Sequence, residues 1–211
     1  MFKPHPHLPS LEDQPSLHPS YLEAKTSYIR QDLDATIRIL GPKLTQVVHF
    51  PPAALLLGKA YFFLSRAQEA EEAWTGSLKN YPDHLETQKW LIRLYLEQGR
   101  EKEAEELCKK ALFLDSENPE LLLLYGKIRL LQKDILGALE AFEKAKATWI
   151  KLVEVPLELA AVYRRFGLAQ RCQTELELAL SILGPNHSLY PSIRFNLENL
   201  KKQLQQNTQG R

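Results

Sequence analysis

The chain has 211 residues and a mass of 24.3 kDa, which suits one globular domain or one short repeat array and excludes several large catalytic domains. Twenty-seven Lys and Arg residues balance 26 Asp and Glu residues, so no overall basic field favours nucleic acid or an anionic membrane. Leu occurs 39 times and Val only 5 times, a bias that favours helices over strands. We therefore expect an all-α protein whose partners are other proteins.

The N-terminal arm, residues 1–17, is rich in Pro and His and has no apolar stretch of the signal-peptide type. His5, His7 and His18 are candidate metal ligands, but no Cys or other fixed ligand accompanies them, so we expect neither a metal nor a cofactor. The longest run of leucines, at 121–124, is far shorter than the roughly 18 residues of a membrane span. We expect a cytoplasmic protein that does not insert into membranes.

From residue 51 onward the sequence repeats every 34 residues, as in the series Ala70, Ala104, Ala138 and Cys172. When each repeat is numbered from its first residue, small or apolar residues fall at positions 7, 8 and 11 and again at 20, 24 and 27. Spacings of three and four mark one face of each of two helices, so each repeat is predicted to form a helical hairpin. The four predicted repeats are 51–84, 85–118, 119–152 and 153–186.

Turn residues separate the two predicted helices of each hairpin. Position 15 is Ser65, Gly99 or Gly167 in three repeats, and Lys133 is the exception. Small residues at positions 8 and 20 allow the paired helices to approach to about 8–10 Å. Between Thr148 and Val155 no Gly or Pro occurs, so the second helix of the third repeat is predicted to run on until Pro156.

This pattern resembles the tetratricopeptide repeat family. The resemblance covers residues 51–186 and implies a right-handed superhelical solenoid of tandem helix-turn-helix hairpins with helical caps. The sequence departs from the family pattern at Ile92, which fills a normally small position, and at Arg129, which replaces the usual Tyr. The expected Pro is also missing from the later repeats, which have Ser116, Ile150 and Gly184 in its place. The first repeat carries the signature most fully, as Leu57-Gly58, Tyr61, Ala70, Trp74 and Pro82.

The two flanks are predicted to be helical caps. Residues 18–50 are interpreted as a cap or a divergent repeat, because Thr36 stands at position 20 and Ser27 at the position of the expected Tyr. Residues 187–211 are predicted to be a capping helix and tail, with Ile193, Leu197 and Leu200 on its apolar stripe.

No enzymatic motif is present in the sequence. Phosphate-binding loops, zinc-protease helices, serine-nucleophile turns and dinucleotide-binding glycines are all missing, so we expect no catalytic activity. Cys108 and Cys172 fall on core positions of repeats two apart, and we expect both to be buried, reduced thiols.

In the family, positions 2, 5, 9, 12 and 13 line a concave groove, and position 6 lies beside them. Lys59, Arg93 and Lys127 share position 9 and would form a basic ladder along that groove, with Trp90 as an apolar anchor. The alternative interpretation is that the cations are ordinary solvated residues and that Phe62, Phe63 and Leu131 pack against neighbouring hairpins or the N-terminal segment. The predicted groove residues are Leu55, Lys59, Phe62, Phe63, Lys89, Trp90, Arg93, Leu96, Leu123, Lys127, Leu130, Leu131, Arg164 and Arg165.

The family's carboxylate clamp for chaperone tails requires Lys and Asn at positions 5 and 9 of one repeat, Asn at 6 of the next, and Lys and Arg at 2 and 6 of the third. Matched from residue 51, the clamp is absent, and a register that starts in the N-terminal hairpin remains open. The residues found are Leu55, Lys59, Trp90, Glu120 and Leu124.

We therefore predict a noncatalytic adaptor or scaffold that binds a peptide segment or a helix of a partner protein in a basic and apolar groove. The alternative is a structural assembly subunit that oligomerises through its convex or end surfaces, with its own N-terminal arm in the groove. The sequence does not indicate the oligomeric state.

Overall fold

The computed structural model describes residues 17–148 and 153–209, with side chains as far as residue 202. Regular secondary structure in these residues is entirely helical, and the chain divides into two compact bodies between Leu114 and Asp115. The helices of the N-terminal body are α1 (His18–Ile29), α2 (Leu33–Leu40), α3 (Leu44–Val47), α4 (Pro51–Phe63), α5 (Ala67–Asn80), α6 (Leu85–Glu97) and α7 (Glu101–Leu114). Those of the C-terminal body are α8 (Pro119–Leu131), α9 (Ile135–Thr148), α10 (Glu154–Arg165), α11 (Ala169–Leu183) and α12 (Tyr190–Gln209).

Consecutive helices pack as hairpins, in the pairs α4–α5, α6–α7, α8–α9 and α10–α11. The predicted all-α fold of tandem hairpins is confirmed. The predicted extension of the third repeat's second helix falls partly on residues 149–152, which lie outside the described residues. Helix α10 has already begun at Glu154, and Pro156 lies in its first turn, where a backbone N–H would have no partner within the helix.

The turn inside every hairpin contains a residue with left-handed backbone. Gly99 and Gly167 have φ of 69°, and the non-glycine residues Ser65 and Lys133 have φ of 59° and 63°. Lys133 therefore adopts the same turn as the glycines, although its residue type gave no signal of it. Gln31, with φ of 62°, lies one 34-residue step before Ser65 and places the N-terminal hairpin in the same register.

The N-terminal hairpin also reproduces the core positions of the repeats. Ala24, Thr36 and Leu40 occupy positions 8, 20 and 24, and all three are fully buried. The Thr36 hydroxyl lies 3.0 Å from the carbonyl oxygen of Asp32 and 3.3 Å from that of Ala24, so it can donate to either and has a partner despite its burial. Helix α2 packs against α4 as α5 packs against α6. The N-terminal hairpin thus has buried residues at the core positions of a repeat, with threonine at the small one, and the interpretation of residues 18–50 as a divergent repeat stays a prediction.

Each hairpin crossing matches the size of position 8 to the size of position 24. Gly58 faces Trp74 and Gly126 faces Phe142, and a Cβ atom at either glycine would overlap the aromatic ring. In the second repeat the sizes are reversed, because Ile92 stands at position 8 and Cys108 at position 24, both fully buried. The small Cys108 thus explains why the usually small position 8 accepts isoleucine.

In two hairpins of the N-terminal body, an arginine at the turn packs on an aromatic ring of the first helix. Arg66 lies 4.7 Å from the Tyr61 ring, and Arg100 lies 4.1 Å from the Tyr95 ring. Arg100 also pairs with Glu71 at 2.6 Å, which ties the turn of one hairpin to the second helix of the preceding one.

The third repeat makes a related cation–ring contact in which the cation stands at the tyrosine position. Arg129 stands at the tyrosine position, lies 4.7 Å from the Tyr125 ring and is 3.7 Å from Asp134. Asp134 occupies the position that Arg66 and Arg100 hold in the first two repeats. The departure of Arg129 from the family pattern is therefore compensated within its own hairpin.

Helix α12 covers the last hairpin of the C-terminal body by packing against α11. Ile193 and Leu197 are buried in this contact, and Lys201 pairs with Glu177 at 2.8 Å. Among the described helices none combines the length and the apolar character needed to span a membrane.

Both cysteines are buried thiols. Burial raises the pKa of Cys108 to about 12, and burial also raises the pKa of Cys172. Both therefore stay protonated at neutral pH and act as small core side chains.

The start of α6 is capped by a histidine. His84 Nδ1 accepts a hydrogen bond from the backbone N–H of Thr87 at 3.3 Å, and the Thr87 hydroxyl lies 2.8 Å from the same nitrogen. Burial lowers the pKa of His84, although the nearby negative charge of Glu86 acts to raise it. The neutral ring is thus the form that caps the helix.

The size matching at the crossing predicts that mutations at positions 8 and 24 have coupled effects on stability. Cys108→Phe should destabilise the chain by about 1–3 kcal/mol, because Ile92 already fills the space that the ring would need. Adding Ile92→Gly should recover part of that loss by recreating the glycine–aromatic pair of the third repeat. Urea unfolding of the two single variants and the double variant measures the coupling. Strictly additive effects would contradict the proposed size matching.

The His84 cap predicts a pH dependence of stability. Because the pKa of the folded state lies below the ordinary value of about 6.5, the cap contributes fully above that pH and is lost as the pH falls through and below it. Thermal unfolding of the unaltered chain should therefore shift to lower temperature between about pH 7 and pH 5. His84→Asn keeps a capping side chain that does not titrate, and its shift over the same range should be smaller.

Candidate functional site

An aromatic cluster lies where α4, α5 and α6 meet in the N-terminal body. The Trp90 ring is 5.6 Å from the Phe62 ring, 5.7 Å from the Phe63 ring and 6.1 Å from the Trp74 ring, measured between centroids. Trp74 is fully buried beneath the cluster, whereas Phe63 is 53% exposed. The cluster therefore runs from the core of a hairpin to its surface, and close packing holds its outer rings in place.

Two cations lie against this cluster. Lys59 Nζ is 4.7 Å from the centroid of the Trp90 ring, and Arg93 Cζ is 4.9 Å from it. Both residues occupy position 9 of their repeats, so the 34-residue register brings them to one ring from adjacent helices. A cation–π contact of this kind contributes about 0.5–1 kcal/mol at a surface. We call Lys59, Phe62, Phe63, Trp90 and Arg93 the Trp90 surface.

Three other predicted groove residues of this body lie outside the Trp90 surface. Lys89 is 4% exposed and its ammonium group pairs with Glu86, so it has little side-chain surface to offer a partner. Leu55 and Leu96 are half-buried, and the carbonyl oxygen of Leu55 accepts a hydrogen bond from the Trp74 indole at 3.5 Å.

In the C-terminal body the predicted groove residues have varied surroundings. Leu123 is 1% exposed and is part of the core. Lys127 Nζ lies 3.3 Å from Glu158 and 3.9 Å from Glu154, so its charge is balanced within this body. Leu131 is exposed, and Leu130 and Arg165 line a depression of about 140 Å³.

A larger groove of about 490 Å³ lies among α10, α11 and α12. Arg164, a predicted groove residue, lies on its α10 wall, and Leu176 and Ile193 contribute apolar side chains. Sequence reasoning missed the α12 wall, which adds Asn196, Asn199 and Lys202, because that helix was interpreted only as a cap. The signal was available, since these polar residues lie on the α12 turns next to its apolar stripe.

The described residues offer little to a chemical reaction. No group of three or more His, Cys, Asp or Glu side chains among them is placed to hold a metal ion. The His84–Thr87 contact has the geometry of a hydroxyl beside a base, but Thr87 is fully buried and cannot reach a substrate.

Residues 55–119 match the tetratricopeptide repeat family. This segment therefore carries tetratricopeptide repeats. The match includes every residue of the Trp90 surface, and the predicted resemblance to this family is confirmed. No curated protein sequence matches the chain significantly.

Crystal structures of other tetratricopeptide repeat proteins have the same fold. TTC0263 of Thermus thermophilus has a TM-score of 0.70 at 17% identity, over 88% of this chain and 98% of that one. A tetratricopeptide repeat protein of Parabacteroides merdae has a TM-score of 0.66 at 19% identity, over 87% and 74% of the two chains. The type III secretion chaperone SycD of Yersinia enterocolitica, in complex with a peptide of the translocator YopD, has a TM-score of 0.52 at 18% identity, over 57% and 95%.

A carboxylate clamp that starts in the N-terminal hairpin is also absent. Gln31 places this hairpin one repeat before residue 51, so the clamp positions would begin in α1. None of the residues at these positions is of the required type. The residues are Tyr21, Lys25, Leu56, Glu86 and Trp90.

Proposed function

We propose that the chain is a noncatalytic protein-interaction module that binds a peptide segment or a helix of a partner protein. The bound segment carries acidic residues beside aromatic or aliphatic ones. The Trp90 surface is the principal contact in the N-terminal body, and the groove among α10, α11 and α12 provides apolar and basic side chains in the C-terminal body.

The Trp90 surface is the observation that carries this proposal. Large aromatic side chains dominate binding energy at protein interfaces when they are fixed in place before the partner arrives. Trp90 packs on the buried Trp74, and Phe63 packs against Phe62 and Trp90. Lys59 and Arg93 place positive charge at the same spot, and such charges favour carboxylate side chains and determine their register.

The groove in the C-terminal body has a matching chemical character. Arg164 and Lys202 are exposed cations on walls whose other side chains include Leu157, Leu176 and Ile193. Asn196 and Asn199 add amide groups that can bond the backbone of a bound segment. Each body thus offers cations next to apolar side chains.

The solved complex of SycD with a peptide of YopD supports a peptide-binding role by analogy of fold. The alternative of an assembly subunit requires the N-terminal arm to fill the groove. Residues 1–16 of that arm lie outside the described residues, so the alternative stays a prediction.

Charge reversal at Arg93 tests the proposal. Peptides selected for binding to the chain from a random display library should be rich in Asp or Glu next to aromatic or aliphatic residues. Arg93→Glu should weaken their binding about tenfold or more, because it removes a cation and places a carboxylate beside the Trp90 ring. Fluorescence anisotropy with the selected peptides measures the change.

Lys79→Glu is the matched control, because Lys79 is exposed on α5 and lies outside the Trp90 surface. This variant should bind the selected peptides as the unaltered chain does, and both variants should show unchanged helical circular dichroism. Selection of no peptide, or equal binding by the Arg93 variant, would refute the proposed function.

A further inference from the structure

The first helix of the N-terminal hairpin presents the same kinds of side chain as the Trp90 surface. Lys25 occupies position 9, where Lys59 and Arg93 stand in the next two repeats, and its side chain is exposed. Ile29 occupies position 13, the position of Phe63, and is 71% exposed. Leu22, at the position of Trp90, is 47% exposed.

Backbone geometry gives these correspondences a structural basis. The left-handed residues Gln31, Ser65 and Gly99 are evenly spaced, so α1, α4 and α6 enter their turns at equivalent positions. Helix α1 contacts α4, and α4 contacts α6. Because equivalent positions on neighbouring first helices face the same side, Lys25, Lys59 and Arg93 lie along one surface of the N-terminal body.

Exposed apolar side chains are usually scattered over a protein surface, so a group at equivalent positions is informative. Ile29 and Phe63 are both more than half exposed and stand at the same position of adjacent first helices. No acidic side chain occupies positions 2, 5, 9, 12 or 13 of α1 or α4. The acidic residues at these positions of the body belong to α6, as Glu86, which pairs with Lys89, and Glu97.

We infer that the partner-binding surface continues from the Trp90 surface onto α1, and that Lys25 and Ile29 contact the same acidic and apolar segment. This inference rests on the proposed function and specifies how far the binding surface extends. First helices of neighbouring repeats pack about 8–10 Å apart, so three of them span about 20 Å between the outer cations. An extended segment covers that distance with about six residues, and a helical one with about thirteen. The partner segment is therefore at least that long.

A synthetic peptide of twelve residues that alternates Glu with Phe and Leu, labelled with fluorescein, is a suitable probe. The full chain should bind it, and Lys25→Glu should weaken binding about three- to tenfold, as expected for a charge at the edge of an interface. Ile29→Ser should also weaken binding, through lost apolar contact. The Lys25 effect should shrink as salt is raised, because exposed charges are screened.

Arg38→Glu is the matched control, since Arg38 is an exposed cation on α2 of the same hairpin. It changes the net charge by the same amount as Lys25→Glu and should leave probe binding unchanged. An equal loss in the Arg38 variant would mean that overall charge, and not α1, attracts the probe, and would overturn the inference.

Arg93→Glu separates this inference from the proposed function. Weaker binding by the Arg93 variant with unchanged binding by the Lys25 and Ile29 variants would overturn the inference and leave the proposed function standing. Failure of the unaltered chain to bind the probe, or indifference to Arg93→Glu, would count against both. Weakening by all three variants, with the Arg38 variant unaffected, supports the extended surface.

Discussion

Close packing at the crossing of the two helices in each hairpin is the constraint on which the rest of the structure depends. Position 8 of the first helix and position 24 of the second share one space, and each repeat fills it with a different pair. Gly58 leaves room for Trp74, and the small Cys108 leaves room for Ile92. Since protein interiors tolerate neither voids nor overlaps, the size of one side chain determines that of its partner. The crossing also explains why Trp74 can be fully buried and still support Trp90 from below.

The 34-residue spacing predicted the hairpins well, because it reports on a pattern that recurs four times. Local composition was a weaker guide. Lys133 and Gln31 adopt left-handed backbone without being glycine, since the packing of two helices imposes the turn on whichever residue lies there. Ile92 and Arg129 looked like departures when read alone and are explained only by their partners Cys108 and Asp134. Pairwise compensation of this kind is visible only once the partner positions are known.

The sequence predicted the residue types of the candidate site better than the directions and burial of its side chains. Register predicted that Lys59 and Arg93 share a face, but their convergence on the Trp90 ring depends on side-chain directions that sequence spacing does not determine. Lys89 was expected on the surface, but it is buried, and its ammonium group pairs with the exposed Glu86. The groove residues on α12 were missed because this helix was interpreted only as a cap over the last hairpin. Its polar side chains at the groove were not considered.

The non-glycine turn residues make the chain less stable than it would be with glycine at the same positions. A residue other than glycine in left-handed backbone costs about 1 kcal/mol relative to glycine, and Gln31, Ser65 and Lys133 each occupy such a conformation. The hairpins that contain them are therefore less stable than the same hairpins with glycine at that point. In a repeat array whose hairpins differ in stability, the less stable hairpins unfold first under destabilising conditions. One of these turns, at Gln31, follows the end of α1.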